Sequence, residues 1–256
     1  MKKERMLLCF LSMFFILAFA SINVSDISAN YSSNQVVDRK VTVNGVSVIS
    51  KQYKVGNDYR YKIIISKNGK AIEAIKNTRA EFTTDGKILY YLKRGKSVNT
   101  WQHRYIIYRY SISTQKEKRL LSGIEYTVMG CSGRYLYYGR DNEADGVDVY
   151  ALDTKNGKKK RMIDGVGQLY VSGGRAITEM NTGAVGNVPI HSFCLNGSRE
   201  KKIVDGILLK AQKGKITYAK VSEKTWKYKI YECTVDGEER NALTGWLDRI
   251  PDSYYK

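Results

Sequence analysis

From about Val36 onward the chain alternates apolar and polar residues in short runs rich in Val, Ile, Thr and Tyr. Gly, Asn and Asp separate the runs. A period of two is the pattern of a strand with unlike faces, and no stretch offers a helical stripe. Only two prolines occur, Pro189 and Pro251. The runs are therefore read as strands, and the expected class is all-β.

The runs also repeat. A turn glycine precedes a tyrosine-bearing strand in DGKILYYLKRG (Gly86), SGRYLYYGR (Gly133), GGRAITEM (Gly174) and KGKITYAKV (Gly214), with a fainter copy in NGVSVISKQ (Gly45). The intervals are 41, 47, 41 and 40 residues. After each comes a second strand (YRYKIIISKNG, YIIYRYSIST, VDVYALDTKNG, PIHSFCLNG, YKIYECTVDG), then a charged turn and a short third segment. Another short segment opens the next unit. With its strands lettered a to d, a unit of 40–45 residues has the period of a propeller blade. One such sheet cannot bury both its faces, and stacking neighbours does so. The expected architecture is a β-propeller of about five four-stranded antiparallel blades, or six if the remnant Trp246–Ile250 completes another, incomplete blade. An open ring is the alternative to a closed one.

The units resemble TolB-type and YncE-type propeller repeats. They are most similar to the low-density-lipoprotein-receptor-related β-propeller domain found in exported bacterial proteins. The residues that carry the resemblance are the G-K/R-x-L-Y-Y strand (Gly86 to Tyr91, Gly133 to Tyr138) and the closing Y-x-x-D-x-x-x-G hairpin (Tyr150, Asp153, Gly157). It covers residues 36–250 and implies architecture, with six blades common, but no particular chemistry. The YWTD signature and the Gly-His and Trp-Asp pairs of other propellers are absent.

The first residues stand apart from this pattern. Lys2, Lys3 and Arg5 precede the apolar run Met6–Ala20, with small residues at Ala18, Ala20, Ser28 and Ala29. This is the layout of a secretory signal peptide, cleaved after Ala20 or Ala29. The run is short of the roughly 20 residues of a spanning helix, so an uncleaved anchor is the lesser alternative. The expected organisation is a leader at 1–29, a polar linker at 30–35 and one domain at 36–256, secreted or at the cell surface. Membrane contact is expected only through the leader, if it is uncleaved. The domain then holds Cys131, Cys194 and Cys233. An odd number excludes a complete disulfide framework, and small apolar core residues are the expectation. Cys194 and Cys233 look equivalent in neighbouring units.

The chain carries a formal charge of +18, and residues 1–29 contribute little of it. Outside a cell, such a charge suits cell-wall polymers, acidic polysaccharides or anionic membranes, and nucleic acid fits export less well. Propeller topology gathers the a–b and c–d turns on one face. There the a–b turns carry Lys87, Arg134, Arg175 and Lys215, and the longest basic run is Lys158, Lys159, Lys160 and Arg161. On the opposite face, the b–c loops hold Trp101 and Trp226, suited to stacking on a sugar ring or anchoring a protein partner.

Asp141, Glu143 and Asp145 place oxygens at alternate positions before Gly146, as a calcium loop would. Position twelve of that loop is Leu152, however, so no metal is expected. With two histidines, no HExxH and no GxSxG, no catalytic residues and no cofactor are expected. The favoured role is non-enzymatic binding of an anionic glycan or wall polymer. The alternatives are a scaffold for an envelope protein using the tryptophan face, and a polysaccharide-active propeller enzyme.

Overall fold

The computed structural model describes residues 39–56, 58–98, 102–141, 147–164, 166–180 and 186–255. The strands form three antiparallel meanders, of seven, four and seven strands, that fall into five four-stranded units. The first holds β1 (Arg39–Val43), β2 (Val46–Val55), β3 (Asp58–Lys67) and the start of β4 (Lys70–Thr84). The second holds the rest of β4, then β5 (Ile88–Ser97), β6 (His103–Ser111) and β7 (Lys116–Ile124). The third is β8 (Tyr126–Ser132), β9 (Tyr135–Asp141), β10 (Val147–Asp153) and β11 (Lys159–Ile163). The fourth is β12 (Val166–Ser172), β13 (Arg175–Met180), β14 (Val188–Cys194) and the start of β15 (Lys201–Gln212). The fifth is the rest of β15, then β16 (Lys215–Val221), β17 (Tyr228–Thr234) and β18 (Asn241–Ala242). β4 passes between units at Thr78, which pairs with Tyr61 on one side and Lys93 on the other. Asn77 just before it adopts φ +58°, a left-handed conformation that Asn tolerates.

The second strand of each unit holds neighbouring blades together. Leu89 and Tyr91 pack with Val48, Ile63 and Ile65 of blade 1. Tyr90 and Leu92, on the other side of the same strand, pack with Val128, Leu136 and Tyr138 of blade 3. Tyr137 joins Ala176 and Phe193 of blade 4. Ile177 then joins Leu208, Ile216 and Tyr218 of blade 5. Alternate side chains of one strand thus fill two different cores, as a pleated strand buried on both faces must.

Three blades repeat a further contact. Tyr91–Tyr108, Tyr138–Tyr150 and Tyr218–Tyr231 are directly opposed on strands b and c. Each pair is stacked, with ring centroids 5.8, 5.3 and 5.5 Å apart. In blade 4 the same position is Thr178 opposite His191. Buried hydroxyls reach across blades: Tyr137 donates to the Leu195 carbonyl and Tyr170 to that of Leu209, both at 2.8 Å.

The C-terminal segment covers the far face of blade 5. Leu209, Ala219 and Ile230 are buried under Leu247, Ile250, Tyr254 and Tyr255. Leu247 and Tyr228 exchange both backbone hydrogen bonds at 2.7 Å. Trp246–Ile250 therefore packs as a cap on blade 5 and does not complete another blade. Among the described residues, no apolar cluster joins blade 1 to blade 5.

The three cysteines are free. Burial pushes the Cys131 thiol up to about 12, an inert core group. Cys233 is buried opposite Ile216, whereas Cys194 lies opposite Arg175, the place that Thr234 takes in blade 5. The two are out of register by one residue. That offset sends Cys194 to the partly exposed side.

Beneath the cap, Glu179 accepts a hydrogen bond from the Leu208 amide at 2.8 Å. Burial raises its pKa above the ordinary 4.5, and the Leu208 bond offsets only part of this. A carboxyl with a raised folded pKa binds its proton more tightly in the fold. Its destabilising effect is absent below about pH 4.5, grows as pH rises through the folded value, and is complete above it. Glu179→Gln should therefore raise stability at neutral pH and leave it unchanged at pH 4, by urea unfolding at both values. Tyr137→Ala should cost about 3–5 kcal/mol in the same assay, and Tyr137→Phe about 1–2 kcal/mol for the orphaned Leu195 carbonyl. Truncation after Gly245 should lower Tm in a thermal scan by uncovering Leu209, Ala219 and Ile230.

Candidate functional surface

The turns at the a–b and c–d ends form one face, and main-chain bonds tie them together. Asn68 donates to the Gly45 carbonyl at 3.1 Å, Ile112 to Lys87 at 3.0 Å, Thr154 to Arg134 at 2.9 Å and Val235 to Gly214 at 3.0 Å. Neighbouring blades meet here too. The Gly214 amide donates to Ser172 Oγ at 2.9 Å. A side chain on Gly173 would fall 2.8 Å from the Gly214 Cα, so this packing requires glycine. The face is thus a rigid platform under its charged side chains.

The anticipated basic residues divide into two groups on this platform. Arg134 Nη2 lies 3.1 Å from Asp153 Oδ2 and donates to the Tyr135 hydroxyl at 3.0 Å. Lys215 pairs with Glu232 at 2.6 Å. Arg175 is largely buried, donating to Ser192 Oγ at 2.8 Å and Cys194 Sγ at 3.4 Å, with Asp236 at 3.7 Å. Arg161 sits within β11 between Asp148 at 3.0 Å and Asp164 at 2.7 Å, away from the hairpin tip. These four charges are committed locally.

Lys87, Lys158, Lys159 and Lys160 are exposed and form no ion pair among the described residues. Lys67, Lys70, Lys116, Lys118 and Lys155, on the c–d hairpins of blades 1 to 3, share that state. On blades 4 and 5, Asp205, Glu232 and Asp236 engage the neighbouring cations, and Glu238 and Glu239 add further negative charge. The free positive charge is therefore densest over blades 1 to 3, with Arg199 and Lys213 as exposed cations outside any ion pair among the described residues on blades 4 and 5. Sequence alone gave the charges but not their partners, because the paired acids lie on other strands.

The opposite end holds polar groups that the sequence reading passed over. Arg79 makes a bidentate pair with Glu81, at 2.9 and 2.8 Å, and lies 4.4 Å over the Tyr105 ring. Glu125 accepts from the His103 amide at 2.6 Å. Arg39 stacks 4.9 Å over Phe82, and burial lowers its pKa to about 10 against the nearby Glu81 charge. The available signal was Arg79-Ala80-Glu81, where i and i+2 share a strand face.

His103 has Arg94 Nη2 within 2.9 Å and Ser97 Oγ at 3.2 Å from Nδ1. Guanidinium can only donate, so the imidazole nitrogen accepts at this contact. A Ser-His pair used in catalysis has an acid behind the base, and here a cation takes that place.

Trp226 is 63% exposed on the b–c loop of blade 5, with φ +55° and its amide donating to the Ser222 carbonyl at 2.8 Å. It does not pack into the fold. Trp101, Glu143 and Asp145 lie outside the described residues, and the Asp141 amide donates to the Glu125 carbonyl at 3.4 Å. Among the described residues, no group of three metal-ligating side chains gathers.

No protein-family model and no curated protein matches this chain. Solved structures do. The β-propeller domain of the trilobed protease from Pyrococcus furiosus, described as having an open velcro topology, matches at TM-score 0.59 and 13% identity, over 80% of this chain and 70% of that one. Acylaminoacyl peptidase from Pyrococcus horikoshii matches at 0.57 and 14%, over 80% of this chain and 38% of the enzyme. An uncharacterized protein from Listeria monocytogenes matches at 0.52 and 8%, over 83% and 80%. The fold is a β-propeller. This chain spans well under half of the acylaminoacyl peptidase, and identities this low speak to fold alone.

The two groups of basic residues should respond differently to neutralisation. Arg134→Ala should lower stability in urea unfolding, because Asp153, only 8% exposed in its side chain, loses its cation. Lys158→Ala should leave stability within about 0.5 kcal/mol.

Proposed function

We propose that the protein is an exported, non-enzymatic binding module whose lysine sector over blades 1 to 3 contacts an anionic glycan or cell-wall polymer. The observation that carries this reading is the division of the basic residues. Lys87, Lys155, Lys158, Lys159 and Lys160 stay exposed and unpaired beside an ordered turn platform, while Arg134, Arg161, Arg175 and Lys215 hold local acids. Free ammonium groups on flexible stems suit a polymer whose charges recur along its length. Such contacts are electrostatic and weaken with salt. Export rests on the leader pattern at residues 1–29, and the TolB-like or receptor-related repeat type on the G-K/R-x-L-Y-Y strands.

A second reading, a protein scaffold on the opposite face, draws on the exposure of Trp226. The peptidase propellers provide a fold precedent only.

The test is retention on an immobilised polyanion over a salt gradient. Lys158→Glu, Lys159→Glu, Lys160→Glu should elute at clearly lower salt than the parent chain, and Lys215→Ala close to it. Retention that survives the triple charge reversal would overturn the lysine sector as the binding surface.

A further inference from the structure

Among the described residues, the most exposed large apolar side chains share one end of the molecule, opposite the lysine sector. They are Val55, Tyr59, Val98, Leu243, Trp226 and Trp246. Val55 and Tyr59 flank the turn between β2 and β3, and Val98 follows β5 at the equivalent turn of blade 2. These two hairpins overhang their neighbours. β2–β3 pairing runs on to Val55 and Asp58, whereas β3–β4 pairing ends at Tyr61 and Thr78. β5–β6 pairing runs to Ser97 and His103, whereas β4–β5 pairing ends at Thr78 and Lys93. The overhangs, three residues past β4 on β3 and four past β4 on β5, are about 10 and 13 Å at the rise of a strand.

Both projecting segments are basic. KQYKVGNDYRYK (51–62) has four basic residues against Asp58, and KRGKSVNTWQHR (93–104) has four and no acid. Lys54, Lys96 and Arg104 are exposed and unpaired among the described residues, as is Lys76 close by. Arg60 and Arg94 turn toward Asn77 and His103.

We propose that these two hairpin tips dock the protein on an anionic phospholipid bilayer. Val55, Tyr59 and Val98 enter the interface, and Lys54, Lys96 and Arg104 meet the phosphates. Small apolar tips, separated from one another and each collared by cations, match a fluid anionic surface, where each tip finds its own depth. A protein partner is better served by one continuous apolar patch. The path of the chain agrees. β1 runs from Arg39 to the Asn44–Gly45 turn at the far end, so the chain enters β1 from the docking side. Docking in this pose turns the lysine sector away from the lipid. The inference does not depend on what that sector binds.

The test uses the full chain, with vesicles of phosphatidylglycerol and phosphatidylcholine or of phosphatidylcholine alone, read by hydrogen–deuterium exchange. Residues 53–60 and 94–98 should exchange more slowly on the anionic vesicles than on neutral ones, while the a–b turns stay unchanged. Because the apolar leader can hold the chain on either vesicle, protection at the tips is the decisive signal. Lys54→Glu and Lys96→Glu should each weaken partition to anionic vesicles by about fivefold or more. Val55→Asp, Tyr59→Asp, Val98→Asp should abolish tip protection while leaving the circular dichroism unchanged. Tips that exchange alike on both vesicles, a triple variant that stays protected, or protection that appears only on adding envelope protein would overturn the proposal.

Discussion

Everything in this fold depends on strands that must bury both faces. Tyr90 and Tyr91 are adjacent, both fully buried, and belong to different cores. Such a strand is stable only with a sheet on each side, and so is the next. The chain therefore grows blade by blade, and each b strand is at once the end of one core and the start of another. The constraint also explains the cap. Blade 5 carries Ala219 and Ile230 on its far face, and the C-terminal segment supplies the missing partner.

The polar layer follows from the apolar one. With the blades fixed by their cores, the turns fall into two sets at opposite ends. At one end they are short, cross-linked by main-chain bonds and rich in lysine. At the other, two hairpins run past the blade edge and carry apolar tips. The cations are likewise of two kinds. Those close to a buried or partly buried acid, such as Arg134 with Asp153, belong to the architecture. Those at hairpin tips, such as Lys158, are exposed and form no ion pair among the described residues. Counting charges does not distinguish these kinds, because an ion pair removes a cation from the surface without changing the sequence.

Much of the architecture was legible in the chain. The glycine-led tyrosine strand recurs because each copy sits in the same environment, and the stacked tyrosine pairs of blades 2, 3 and 5 are that environment made visible. The five units and their strand order could be read from it. The fate of Trp246–Ile250 could not, since a capping segment and an extra strand share the same composition. The position of Cys194 was missed by one residue, and a one-residue offset changes the face of a strand. The candidate surface was legible only in outline. Lys158–Lys160 stood out as a run, but the loss of Arg175 to Ser192 and Asp236 involves strands far apart in sequence. The Arg79–Glu81–Tyr105 contact was hidden for the same reason.

The claim that unpaired lysines over blades 1 to 3 form the binding surface is tested most directly by lysine footprinting. The protein is acetylated with and without a soluble polyanion, and modification is read at each residue. The account expects protection of Lys87, Lys155, Lys158, Lys159 and Lys160, with Lys215 and Lys201 reacting equally in both samples. Protection spread evenly over all exposed lysines, or confined to blades 4 and 5, would contradict it.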